Sequence, residues 1–208
     1  SHEKWQESPP QELNLSTVGI VGYGSIGRRL AHLLHILGAT VLATKRDAMN
    51  PEDNGYIAED FVDYTGDLVH RLYPPQAIRT MLRECDYVIV TVPLTPETHN
   101  IIGAQEFEVM KPNTLLVDVS RGNVINQDAL ITALREKKIA GAALDVFPEE
   151  PLPEDNPLWG LPNVIISPHL AGYSALYDER AVRLFSKNLD LYLTKRPLLN
   201  VIDIQRGY

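Results

Sequence analysis

Short runs of branched and aliphatic residues recur along this chain, each followed by a stretch whose apolar positions fall at helical spacing. The runs are Thr17–Val21, Thr40–Ala43, Tyr87–Val92, Thr114–Val119, Ala140–Leu144 and Val164–Ile166. Between them, Ile26–Leu37, Pro75–Leu82, Gln127–Lys137 and Ser174–Thr194 place apolar residues three and four apart, which predicts helices. Strands rich in Val and Ile, separated by helices, imply βαβ crossovers and a parallel sheet buried on both faces. The expected fold is a doubly wound α/β domain with helices on both faces of the sheet.

The pattern breaks in two places. From Asp47 to Pro74 the chain is irregular and rich in Asp, Glu, Asn, Tyr and Gly. A third strand is expected there, over either Phe61–Tyr64 or Leu68–Tyr73, and the pattern does not separate them. A connection this long is either functional or an elaborated edge. The other break is the polar stretch at residues 1–16 with its proline pair, read as a lead-in segment.

Composition narrows the class. Apolar residues make up 44% of the 208 and charged residues 22%, as in an ordinary globular protein. The net charge of −8 argues against nucleic acid as a partner, since such proteins present a basic face. Arg28–Arg29 and Lys45–Arg46 are the candidates for local basic patches. The single cysteine, Cys85, excludes an internal disulfide, fits a reducing cytoplasm, and by its place before an apolar run reads as a buried structural thiol. No apolar stretch is long enough to span a bilayer.

The first strand leads into Gly22-Tyr23-Gly24-Ser25-Ile26-Gly27 and then an amphipathic helix. That context makes the glycine pattern a dinucleotide loop of Rossmann type. Gly22 permits the turn, Gly24 lets the backbone approach the pyrophosphate, and Gly27 allows helix and strand to pack closely. Ser25 and Ile26 open the helix whose free N–H groups would face the phosphates. NAD enzymes carry an acid at the end of the second strand for the adenosine ribose. Here the sequence reads Thr44-Lys45-Arg46, and two cations suit a 2′-phosphate, so NADP(H) is favoured over NAD(H). The alternative is that both cations are solvated and Asp47 serves the ribose.

Three charged residues sit in distinctive frames: Arg121 in VDVSRG, Glu150 in DVFPEEP and His169 in SPHLAG. An arginine can hold a carboxylate, a carboxylate can tune an imidazole, and a histidine can move a proton. Arg121 and His169 each follow a strand, at the carboxyl edge where open α/β sheets bind ligands.

From Gly19 to about Gly172 the order and context of these motifs resemble the coenzyme-binding domain of the D-isomer-specific 2-hydroxyacid dehydrogenases. The resemblance implies hydride transfer between NAD(P)H and a small 2-keto acid, with Arg121 on the substrate carboxylate and carbonyl, His169 as acid/base and Glu150, the acid directly before Pro151, orienting it. It assigns Asp145 to the nicotinamide carboxamide, a role compatible with capping the following turn. It places Val92, Pro93, Thr98, Val119, Ser120, Arg121, His169 and Gly172 along the cofactor. It also implies domain limits: an NAD(P)-binding domain over 17–190, a return segment over 191–208, and a substrate domain that precedes the first strand in the family and is absent here. The apolar tail, Leu198, Leu199, Val201 and Ile202, is then expected to lack its cover. Family members commonly dimerise through this domain, and Ile101–Met110 is the stretch expected to contribute. Glyoxylate/hydroxypyruvate reductases are the favoured branch, chiefly because of Lys45 and Arg46, with phosphoglycerate-type and erythronate-phosphate-type dehydrogenases the other branches the resemblance implies. Transcriptional corepressors of the same fold form the alternative, a dinucleotide-sensing interaction module. No metal site is expected, because His32 and His35, three apart on the first helix, have no Cys or acid cluster nearby.

Overall fold

In the computed structural model, which describes residues 12–52 and 63–204, all seven strands are parallel and form one sheet. They are β1 (Thr17–Val21), β2 (Thr40–Thr44), β3 (Arg71–Tyr73), β4 (Tyr87–Val90), β5 (Leu115–Asp118), β6 (Gly141–Leu144) and β7 (Val164–Ile166). Their order across the sheet is β3-β2-β1-β4-β5-β6-β7. The chain therefore winds outward from β1 to β3, returns to the other side of β1, and winds outward again. The point of reversal, between β1 and β4, is the topological switch point at which such sheets bind ligands.

Alternate strand residues point to opposite faces, and each face has its own helices. Val18 and Ile20 of β1 and Val41 and Ala43 of β2 pack under α1 (Ser25–Ile36), against Ala31 and Leu34. Val88, Val90, Leu116 and Leu144 form the other core, with Met81 and Leu82 of α2 (Ile78–Leu82), Phe107 of α3 (Ala104–Phe107), and Leu130 and Leu134 of α4 (Gln127–Arg135). Gly38, at φ +81°, ends α1 in the left-handed conformation usual after a helix. Cys85 is fully buried in the second core and its thiol is pushed up to about 12 by that burial, so it is structural.

The doubly wound architecture is the one the hydrophobic pattern implies, with three differences. The third strand is Arg71–Tyr73, inside the later of the two candidates, and His70 anchors it: its Nδ1 accepts the Val41 N–H at 3.1 Å. Residues 53–62, and with them the first two residues of the other candidate, lie outside the described residues, as do most of the lead-in (1–11) and the chain end (205–208). The Pro75–Leu82 stretch is a 3-10 turn followed by the short α2, and α3 is a four-residue helix that the spacing did not announce.

The last helix, α5 (Tyr177–Leu193), differs from the others in having no buried residue. Val182, Phe185, Leu189 and Tyr192 are exposed, as are Leu198, Val201 and Ile202 beyond it, while Leu199 is half-buried. Among the described residues, no helix is long and apolar enough to cross a membrane. One basic pair needs correction: Arg28 is not part of a surface patch but fully buried, its guanidinium 4.5 Å above the Tyr23 ring.

Candidate active site

Parallel strands end on the same side of a sheet. Gly22, Gly24, Ser25, Ile26 and Gly27 follow β1, and Thr44, Lys45 and Arg46 close β2. Val92, Pro93 and Thr98 follow β4, and Val119, Ser120 and Arg121 follow β5. Asp145 follows β6, and His169 and Gly172 follow β7. Every residue that the sequence singled out for chemistry thus lies on one edge.

The glycine loop has the shape its sequence requires. Gly22 sits at φ +106°, where a Cβ would lie 2.7 Å from Val92 Cγ1 and 3.0 Å from the Val92 nitrogen. This is the contact between the β1 and β4 ends at the switch point. A Cβ on Gly27 would overlap the Gly22 carbonyl oxygen. At Gly24 it would meet nothing within 4 Å, so the loop's outer side is open. The Gly22 N–H donates to Thr44 Oγ1 at 3.1 Å, the Tyr23 N–H to the Thr44 carbonyl at 2.9 Å, and the Thr91 hydroxyl to the Gly22 carbonyl at 2.8 Å. Gly24 caps α1 without any side-chain bond, and Ser25 and Ile26 are exposed. Open backbone and a helix N-terminus with its positive dipole end fit a dinucleotide pyrophosphate.

At the end of β2, Lys45 donates to the carbonyls of Asn50 and Glu52, the latter at 2.7 Å, and Arg46 is exposed. Asp47 accepts the Asn50 side-chain amide at 2.5 Å and the Met49 N–H at 3.2 Å. The bond from Asn50 is the main reason its carboxyl lies below the usual range. In the loop after β4, the Thr98 hydroxyl donates to the Pro93 carbonyl at 2.6 Å and accepts the Thr95 N–H at 2.8 Å, so its first task is to shape that loop.

Arg121 is exposed, and its guanidinium donates to the Ser120 carbonyl at 2.7 Å. Beneath it Asp118 Oδ1 accepts both the N–H (3.0 Å) and the hydroxyl (2.5 Å) of Ser120. Burial pushes the Asp118 carboxyl up to about 6, although the two Ser120 bonds oppose the shift. A Cβ on Gly122 would overlap the Phe147 carbonyl oxygen, so the turn after Arg121 lies hard against the backbone beyond β6.

His169 Nδ1 is 2.7 Å from Glu150 Oε2, and Glu150 Oε1 accepts the Phe147 N–H at 2.9 Å. Glu150, rather than its neighbour Glu149, therefore makes the pair and leaves Nε2 as the ring nitrogen not engaged by the carboxylate. The bond to His169 is the chief cause that holds the Glu150 carboxyl below the usual range. His169 adopts φ +50°, a region uncommon for side chains other than glycine. Buried Asp145 supports that conformation. Its oxygens accept the Ser167 hydroxyl (2.6 Å) and the Leu170 (2.9 Å) and Ala171 (2.8 Å) N–H groups, which brackets the histidine. Burial works to raise the Asp145 carboxyl, but these bonds outweigh it and hold it low.

Residues 1–171 match the model of the D-isomer specific 2-hydroxyacid dehydrogenase NAD binding domain. The chain belongs to this family. A glyoxylate reductase of Thermococcus litoralis is 39% identical over 173 residues, which are 83% of this chain and 47% of that protein. A D-isomer specific 2-hydroxyacid dehydrogenase of Xanthobacter autotrophicus, solved with NADPH and MES, is 30% identical at a TM-score of 0.82, covering 99% of this chain and 78% of that one. The NADPH-dependent glyoxylate/hydroxypyruvate reductase of Sinorhizobium meliloti, solved with NADP and sulfate, is 28% identical at a TM-score of 0.80, over 100% and 61%. The chain spans about half the length of the curated relatives it matches.

Three features of this family member were not found in the sequence. Asp118 and Gly122 flank Arg121 in its own motif, and the overlooked signal was an acid and a glycine at fixed distances from a charged residue. The third is Asp63, in the irregular stretch after β2. No periodicity marked it, because its partners are the Tyr23 hydroxyl and backbone amides rather than an apolar face.

Proposed function

We propose that this chain is the coenzyme-binding part of an NADP(H)-preferring enzyme that interconverts a small 2-keto acid and a D-2-hydroxy acid. The observation that carries the reading is the 2.7 Å pair of His169 and Glu150 on the same sheet edge as the open glycine loop and Arg121. When bound, the nicotinamide would supply or accept the hydride. Arg121 binds the substrate carboxylate and polarises its carbonyl, a task suited to a planar, permanently charged fork. In reduction His169 Nε2 gives its proton to the developing alkoxide, and in oxidation it takes that proton back. Glu150 fixes the ring through Nδ1 and stabilises the imidazolium. Asp145 holds the backbone on both sides of His169, with the carboxamide of the nicotinamide as its further partner.

Gly22, Gly24, Ser25, Ile26 and Gly27 cradle the pyrophosphate, and Val92, Pro93, Thr98, Val119, Ser120 and Gly172 line the rest of the cofactor. The preference for NADP(H) is supported by Thr44-Lys45-Arg46, which puts cations where an acid would repel a 2′-phosphate. Relatives solved with NADPH or NADP agree with it. Glyoxylate and hydroxypyruvate are the favoured substrates, after the relatives' names. A substrate domain outside residues 17–190, to which 191–208 return, a homodimer and a cytoplasmic location complete the proposal.

The test is NADPH oxidation with glyoxylate or hydroxypyruvate, in the chain joined to a substrate domain from its own gene. H169Q is expected to reduce kcat by about 10²–10⁴-fold, far more than it weakens the coenzyme. Turnover undiminished in H169Q would remove the histidine from the mechanism. Turnover of neither acid by the unaltered enzyme would remove the substrate assignment.

A further inference from the structure

The chain between β2 and β3 is tied to the glycine loop by a buried polar cluster that the chemistry proposed above leaves unused. Tyr23, between the first two glycines, donates its hydroxyl to Asp63 Oδ2. Arg28, in the first turns of α1, donates to the main-chain carbonyls of Asp63 and Pro51. Asp63 also accepts three amides of its own turn, from Gly66 (2.8 Å), Asp67 (3.0 Å) and Leu68 (3.0 Å). Tyr23, Arg28 and Asp63 are all nearly or wholly inaccessible to solvent.

These contacts converge on one short ridge, Asn50–Glu52. Arg28 grips it through the Pro51 carbonyl, and Lys45 grips it through the carbonyls of Asn50 and Glu52. The Asp63 turn closes the third side, because Gly66, at φ +84°, lies so near that a Cβ would come within 2.6 Å of Pro51 Cβ. Burying a guanidinium is costly unless it is met by acceptors. Apolar contact alone would anchor a loop at less cost. What the polar cluster adds is a fixed geometry between the glycine loop and the ridge that holds Lys45.

We infer that Asp63, Tyr23 and Arg28 are positioning residues for coenzyme selectivity: they seat the Asn50–Glu52 ridge so that Lys45 is held toward the adenosine 2′-phosphate. The inference rests on the NADP(H) reading above. Its specific consequence is that loss of the cluster lowers affinity for the phosphorylated coenzyme more than for the other. D63A leaves Tyr23 and three amides without their acceptor. D63N keeps one oxygen for the Gly66 and Asp67 amides and offers an amide N–H that the Tyr23 hydroxyl can accept, so only the Leu68 amide loses its acceptor, and it serves as the conservative rescue.

The experiment is calorimetric titration of the whole chain with NADPH and NADH, with circular dichroism as the check on folding. D63A is expected to weaken NADPH by about tenfold or more and NADH by no more than about threefold, an ion-pair-sized difference. Y23F moves the ratio the same way by less, and D63N recovers most of it. K45M lowers the preference to what Arg46 contributes, and adding D63A to it changes the ratio no further, as expected for one coupled unit. Equal losses for both coenzymes, or none, in a folded D63A would overturn the inference and leave the coenzyme reading intact. Should D63A fail to fold, Y23F decides, and an unchanged ratio there has the same meaning. If the unaltered chain bound neither coenzyme, or bound NADH more tightly, the reading beneath the inference would fall with it.

Discussion

The turn after Arg121 stands or falls on a hydrogen atom at residue 122. Any Cβ there enters the Phe147 carbonyl, so G122A must push β5's exit away from β6's. The expected loss is about 1–3 kcal/mol or more of unfolding free energy, the usual range for overpacking. G24A is the control, since a Cβ at 24 meets nothing, and it should leave the urea midpoint nearly unchanged while weakening coenzyme binding. Asp118 makes a prediction of opposite kind. Its carboxyl is raised to about 6 by burial, so between its unfolded range and pH 6 the folded state holds more protons than the unfolded. Stability from this group is therefore complete at low pH and declines as pH rises to about 6, by roughly 2–3 kcal/mol. D118N keeps the oxygen that Ser120 uses and has nothing to ionise. Urea unfolding from pH 4 to 7 should show the unaltered chain losing that much relative to D118N, and parallel curves would mean that Asp118 is charged throughout. Residues at this scale were legible where a motif fixed local geometry, as at Gly22, with its φ of +106°, and at Glu150 and His169, which pair. They were illegible when their role was to hold a neighbour's backbone, as at Asp63, Asp118 and Gly122, because such bonds leave no trace in composition or period.

At the scale of elements, the strands were read almost to the residue. A strand buried on both faces is a run of apolar side chains, and the pattern is the cause of the burial. β1, buried over 18–21, has the bounds of its apolar run, and so does the edge strand β7, although its Ile165 is 72% exposed. β3 was ambiguous because it is a three-residue edge strand, half-exposed, and its anchor is the bond of His70 to Val41 rather than an apolar run. α3 was missed because four residues are too few to show a helical period. Its start is marked instead by the Glu106 carboxylate accepting the Gly103 N–H at 3.0 Å. α4 was read from its period and depends on a cap of the common kind: the Asn126 side chain accepts the Ala129 N–H at 2.9 Å. N126A is expected to cost about 1 kcal/mol, measured as a shift of the urea midpoint without a change of slope. An unchanged midpoint would show that packing of Leu130 and Leu134 fixes the helix start by itself.

At the scale of the molecule, the sheet has ample cover beside α1, α2 and α4, while α5, among the described residues, buries none of its own side chains. Val182, Phe185, Leu189 and Tyr192 recur at spacings of three and four, which puts them on one stripe of the helix. Phe185 is 68% exposed and Tyr192 70%, so the stripe faces solvent in the single chain. The tail extends it, because the Asn188 side chain holds Leu199 from both sides, accepting its N–H at 2.8 Å and donating to its carbonyl at 3.1 Å. Val201 and Ile202 follow, also exposed. Apolar surface this continuous, on an element that lends the fold no buried side chain, is the mark of a surface that meets another. In the intact protein the proposed substrate domain, to which residues 191–208 return, is the expected cover; in residues 1–208 alone the stripe is open to a second copy, so the sedimentation coefficient should rise with concentration over the micromolar range. F185E places a charge at the centre of the stripe and removes no buried contact. It should therefore keep the helical circular dichroism while holding the chain monomeric to higher concentration. If F185E sedimented like the unaltered chain, the stripe would not be where copies meet, and the self-association would have to arise elsewhere, with Ile101–Met110 the stretch to alter next.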